Sequence, residues 1–250
     1  MTNLLTDNST NQEFYWRETR RPLVCLLFLT PLLFYYEWGL WQAGAERSAL
    51  YRNGADYWMR EALAYVGLAQ PLLLPLLVIV ILLLWHISRR ERWQLSAETL
   101  WGMLAESILF AFVLLVLGQL QELAFQQFGI PRILSVASSG SVISYVGAGI
   151  YEEVLFRLCL LPILFYLFRG FTMSNRASAC SAVLVSSLIF SGAHYVGPVG
   201  DTWSLFSFSF RTLAGIFFAG LFVLRGFGIT VGCHAIYDLL VGVLLATSQS

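Results

Sequence analysis

The stretch from Ser139 to Phe168, SGSVISYVGAGIYEEVLFRLCLLPILFYLF, decides how this chain is read. It is apolar enough to lie in a bilayer, yet Glu152, Glu153 and Arg157 stand together about midway along it. One such residue at the centre of a membrane helix costs about 2.5–3.5 kcal/mol, so these side chains must face protein or water rather than lipid. On a helix Glu153 and Arg157 are four residues apart and can pair, with the acid on the favourable N-terminal side. Glu152 lies about 100° around the helix and is left without that partner. It is therefore placed to act as a general base, with a packing salt bridge and one helix-binding Glu as the plainer alternative. The stretch is long for one straight span, so it is expected to begin with a loop or to be built in two pieces.

The rest of the chain agrees with a membrane setting. Of 250 residues 58% are hydrophobic and 12% charged, with a mean hydropathy of +0.69, which is not a soluble composition. Lys+Arg and Asp+Glu are both 15, which leaves no basic surface to hold nucleic acid by counterion release. Apolar stretches long enough to span run near 22–42, 61–87, 99–127, 139–168, 178–195, 205–224 and 228–247. The expected fold is all-α, a polytopic transmembrane helix bundle of seven or eight spans. Residues 1–21 read as a cytoplasmic tail without a cleavable signal, and 22–130 as transmembrane helices of unassigned role. Arg17, Arg20, Arg21, Arg89, Arg90, Arg92, Arg169, Arg176 and Arg225 fall on one side of this topology. Only Arg47, Arg52, Arg60 and Arg132 fall on the other, so the N-terminus is expected inside. Arg157 and Arg211 fall within helices.

Cys25, Cys159, Cys180 and Cys233 lack metal or disulfide spacing and read as small buried hydrophobes. Pro31, Pro71, Pro75 and Pro162 lie in apolar runs, where they are expected to kink helices. Tyr35-Tyr36-Glu37-Trp38 reads as part of an interfacial belt, and His86 as a boundary residue. Gly147 and Gly149 allow a close helix approach or a break, while Ser138, Ser139, Ser141 and Ser144 make the start of their stretch polar.

Two further stretches hold histidines. Phe190-Ser191-Gly192-Ala193-His194 places an aromatic ring and an imidazole on one helical face, and His234 and Asp238 are again four apart. A carboxylate one turn from an imidazole can fix its tautomer and raise its basicity. One histidine in a membrane helix usually ties two helices together. Two histidines on helices other than that of the glutamates point to a convergent polar site.

The set EExxxR (Glu152 to Arg157), FxxxH (Phe190 to His194) and HxxxD (His234 to Asp238), in this order, resembles the CAAX protease and bacteriocin-processing family of intramembrane endopeptidases. The resemblance makes residues 131–250 the catalytic core and implies peptide-bond hydrolysis at or within the bilayer. It implies that Glu152 activates water with His194, while His234 and Asp238 polarise the carbonyl or stabilise the oxyanion and Glu153 and Arg157 support them. Many members carry Asn where this chain has Asp238. An ionised Asp238 cannot donate a hydrogen bond, so it would orient His234 or be protonated. The implied partner is a membrane-bound or lipid-modified peptide or protein. No cofactor is expected, although Glu152, His194 and His234 make a two-His, one-Glu set of the kind that binds zinc. The HExxH, GxSG and GxGD signatures of other protease classes are absent. A proton-coupled transporter or a non-catalytic scaffold would use the same polar cluster differently. With the N-terminus inside, straight helices put His194 and His234 at different depths, a conflict that unequal helix ends would resolve.

Overall fold

The computed structural model describes residues 14–129, 141–197 and 200–248, so Ser138, Ser139, Arg132 and most of the 1–21 tail lie outside the described residues. Among the described residues it is all helical. A short helix (α1, 14–18 as described) leads into α2 (Pro22–Tyr51), α3 (Gly54–Tyr65), α4 (Leu73–Ser88) and α5 (Ala97–Gln127). Then come α6 (Val142–Glu153), a π-helical turn (Val154–Leu160), α7 (Leu161–Gly170), α8 (Asn175–Ala193), α9 (Leu205–Leu224) and α10 (Phe227–Ser248). Pro22–Gly44, Ala97–Gln127, Asn175–Ala193 and Leu205–Leu224 are long and apolar enough to cross a membrane, and Leu73–Ser88 and Phe227–Gly242 are shorter apolar helices.

The stretch expected to span as one piece over 61–87 is divided. α3 ends at Tyr65, and the chain turns through Gly67 at φ 81° and Pro71 before α4 begins at Leu73. Pro cannot donate to a continuing helix and Gly accepts the left-handed turn, so hydropathy alone overran a break that these two residues encode. Likewise, α2 departs from helical geometry at Gly44 (φ 76°) and not at Pro31, which sits inside it. The 139–168 stretch is not divided where it is described: the backbone stays helical from Val142 to Gly170, and its extra length is taken up by a π turn at Val154–Leu160. Ser141 caps α6 by accepting from Ser144 N, and the helix widens ahead of Pro162, with Leu161 N bonding to Phe156 O five residues back. A π turn of this kind often accompanies a functional position.

α10 forms the centre. Its first part is apolar on all sides and buried, and it packs against α2, α5, α6 and α9. The close approaches expected of Gly147 and Gly149 are present: Gly147 lies under the Tyr36 ring of α2, and Gly149 abuts the backbone of Ala235 in α10. α5 shows the outward face of a membrane helix. Met103, Ser107, Ala111 and Leu114 turn inward, while Trp101, Ile108, Phe112, Val116 and Leu123 are exposed.

The depth conflict disappears because the helices start at different levels. His194 follows α8 after about 28 Å of rise, whereas His234 lies only about 10 Å into α10. Both histidines flank Glu152, so α8 starts well beyond the level at which α10 begins. Three minor expectations change. His86 is fully buried, edge-on to Trp93, where a boundary residue was expected. Cys180 is exposed and Cys159 only half-buried, although Cys25 and Cys233 are buried as expected. Tyr36 is fully buried, so only Tyr35 and Trp38 of its quartet present aromatic surface outward.

Candidate active site

Three helical segments bring the six candidate residues together. Glu152 and Glu153 end α6 and Arg157 follows in the π turn, His194 caps the C-terminus of α8, and His234 and Asp238 lie one turn apart on α10. The deepest contact is an ion pair, Arg157 Nη1 to Glu153 Oε1 at 3.0 Å, with side chains 2% and 0% exposed. Arg157 also donates from Nη2 to Gly215 O of α9 at 3.3 Å, and its guanidinium lies 4.4 Å from the centroid of the Phe190 ring. These contacts give the buried cation a carboxylate, a carbonyl and an aromatic face in place of water.

Glu153 Oε1 makes a second contact, 2.7 Å to Nδ1 of His234. That carboxylate therefore orients the imidazole as well as neutralising Arg157, and Phe218 stacks on the ring at 4.5 Å with the planes 16° apart. With Nδ1 held by Glu153, the other nitrogen, Nε2, points toward Glu152 and Asp238. It lies 3.8 Å from Glu152 Oε2 and 3.6 Å from Asp238 Oδ2. His194 is fixed in the same manner. Its Nδ1 donates to Phe190 O at 2.9 Å, so the aromatic of the FxxxH motif supplies a backbone anchor, and Nε2 comes within 3.7 Å of Glu152 Oε2. Asp201 N donates to the His194 carbonyl at 2.9 Å and steadies the chain leaving α8.

Glu152 Oε2 is thus flanked by two imidazole nitrogens, and among the described residues it has no hydrogen-bond partner. Exposure rises from the Arg157–Glu153 pair outward, to 11% for Glu152, 24% for Asp238 and 25% for His194. The site is a closed ionic base under a more open polar rim. Among the described residues no group of three or more His, Cys, Asp or Glu side chains is placed to hold a metal ion.

Residues 134–240 match the protein-family model described as type II CAAX prenyl endopeptidase Rce1-like. This segment is Rce1-like. It contains all six of these residues and is similar to the CAAX-protease family that the three motifs resemble. Neither a curated protein nor a solved structure matches the chain.

The Rce1-like segment is tied to the preceding helices through a cluster that the sequence reading did not single out. Tyr151, beside Glu152, donates to Glu37 Oε1 of α2 at 2.5 Å. Arg60 of α3 bridges Glu37 at 3.0 Å and Asp56 at 2.6 Å, while Arg52 and Tyr36 reach the other Asp56 oxygen at 2.8 and 3.0 Å. Asp56 is fully buried. The available signal was Glu37 itself, an acid inside a stretch expected to span, which requires a partner.

Proposed function

We propose that the protein is an intramembrane endopeptidase in which Glu152 is the general base. The observation that carries this reading is the placement of Glu152 Oε2 between two oriented imidazoles at 3.7 and 3.8 Å, distances that accommodate a bridging water. Glu152, with His194, takes a proton from that water as its oxygen attacks the carbonyl carbon. The proton is then available for the leaving amine when the C–N bond breaks. His234 and Asp238 face the oxyanion side. With Nδ1–H on Glu153, donation from His234 Nε2 requires the imidazolium, and donation from Asp238 requires its protonated form. Glu153 and Arg157 hold His234 in place and touch no substrate.

The Rce1-like match supports a protease acting on a prenylated or otherwise membrane-bound protein. The remaining parts of the proposal are a seven- or eight-span bundle with its N-terminus inside, and catalysis without a resident metal. Comparing new N-termini in membranes containing the wild-type protein with those containing Glu152→Gln tests the assignment. Cleavage products present with the first and absent with the second, at equal folded protein, are expected. An unchanged product set would return the cluster to a transport or scaffolding role.

A further inference from the structure

A second site lies at the far end of the bundle, where α2 and α10 begin and α4 and α9 finish. A pocket of about 430 Å³ opens there, with Arg17, Arg20 and Arg89 in its wall and Glu91 as its acid. Glu91 already faces Arg21, Nε to Oε2 at 3.6 Å, so its charge is matched from outside the wall. Arg20 donates Nε to Trp16 O at 3.2 Å, and no ion pair among the described residues engages Arg17, Arg20 or Arg89. The rest of the lining is apolar, with Trp85 from the end of α4 and Phe222 from the end of α9. Arginines that only set topology need to be no more than exposed. Three of them converging on one cavity with an aromatic and aliphatic wall form an amphiphilic receptor.

We propose that this pocket binds the phosphate headgroup of an anionic phospholipid, its diester or monoester against the arginines and the upper acyl chain along Trp85 and Phe222. Two observations favour the lipid over a soluble anion: the apolar wall and the position at the end of membrane helices. Basic pockets between helices at the membrane surface recognise such headgroups. Phe222 also touches Phe227 at the start of α10, with ring centroids 6.3 Å apart, so a bound lipid would brace the turn from which the His234 helix rises. Gly226 occupies that turn at φ 100°, close against Thr19 and Arg20.

The test uses the full-length protein in detergent and native mass spectrometry with equal phosphatidylcholine and phosphatidylglycerol. Preferential retention of one phosphatidylglycerol is expected, falling about fivefold for each of Arg17→Gln and Arg89→Gln, with Arg→Lys restoring much of it. Arg176→Gln, which removes the same charge at the start of α8 away from the pocket, should leave retention unchanged. No preference in the wild type, or an equal loss in Arg176→Gln, would overturn the proposal. Equal thermal stabilisation by inorganic phosphate would also overturn it, since the ligand would then be a soluble anion. Because the variants are compared as folded, lipid-binding species, misfolding appears as missing protein and not as lost lipid.

Discussion

Gly149→Ala puts one methyl group at the contact that sets the distance between the two helices carrying Glu152 and His234. A Cβ there would meet the Cβ and backbone N of Ala235 at 2.7 Å and its Cα at 2.9 Å, about 0.7 Å short of ordinary contact at 3.4 Å. Backbone atoms of a buried helix cannot rotate away as a side chain can, so α6 and α10 must part. Overpacking of this kind costs about 1–3 kcal/mol. The same displacement pulls on the 2.7 Å Glu153–His234 contact and widens the gap around Glu152. A shift approaching 1 Å in reacting groups can cost about 10²-fold in rate. The expected result is a lower unfolding temperature in detergent and a loss of cleavage larger than that stability change explains. Gly220→Ala on α9, where a Cβ meets nothing within 4 Å, is the control and should be neutral or slightly stabilising. Wild-type cleavage by Gly149→Ala, or equal behaviour of the two variants, would show that the Gly149–Ala235 contact does not set the geometry of the site.

Other substitutions separate support from chemistry. Glu153→Gln strands a buried guanidinium and should cost about 3–5 kcal/mol, read as reduced thermal stability, whereas combining Glu153→Leu with Arg157→Met should recover much of that loss while leaving the protein inactive. Asp238→Asn keeps a donor toward the oxyanion side and should still cleave, while Asp238→Ala should lose about 10²-fold or more in turnover. Tyr151→Phe removes the bond to Glu37 and should destabilise by about 1–3 kcal/mol, measured by unfolding in the same detergent. Cleavage by purified protein should survive a strong metal chelator, and a loss reversed by zinc would overturn the metal-free proposal.

That the residues of the candidate site would lie together was readable from the sequence, because charge inside apolar helices is costly and must converge on something. Glu152, His194 and His234 stood out for that reason, and helical spacing alone gave the Glu153–Arg157 pair. The partner of His234 was not readable. Its one-turn neighbour Asp238 was the natural choice, but the fold delivers Glu153 from another helix to 2.7 Å of Nδ1 and leaves Asp238 at 3.6 Å from Nε2. Contacts across helices have no spacing rule in one sequence. For the same reason the partners of Glu37, which are Tyr151, Arg60 and through it Asp56, had no sequence signal, and the break at residues 66–72 was hidden by the hydropathy on either side of it.

In the proposed mechanism Glu152 delivers water to a peptide bond. Membranes from cells lacking the protein, incubated with purified wild type or Glu152→Gln in water enriched in oxygen-18, test it directly. New C-termini carrying the heavy oxygen are expected with the wild type, and at least about 10²-fold fewer with Glu152→Gln at equal folded protein. The same labelled C-termini at the same rate from both proteins would contradict it.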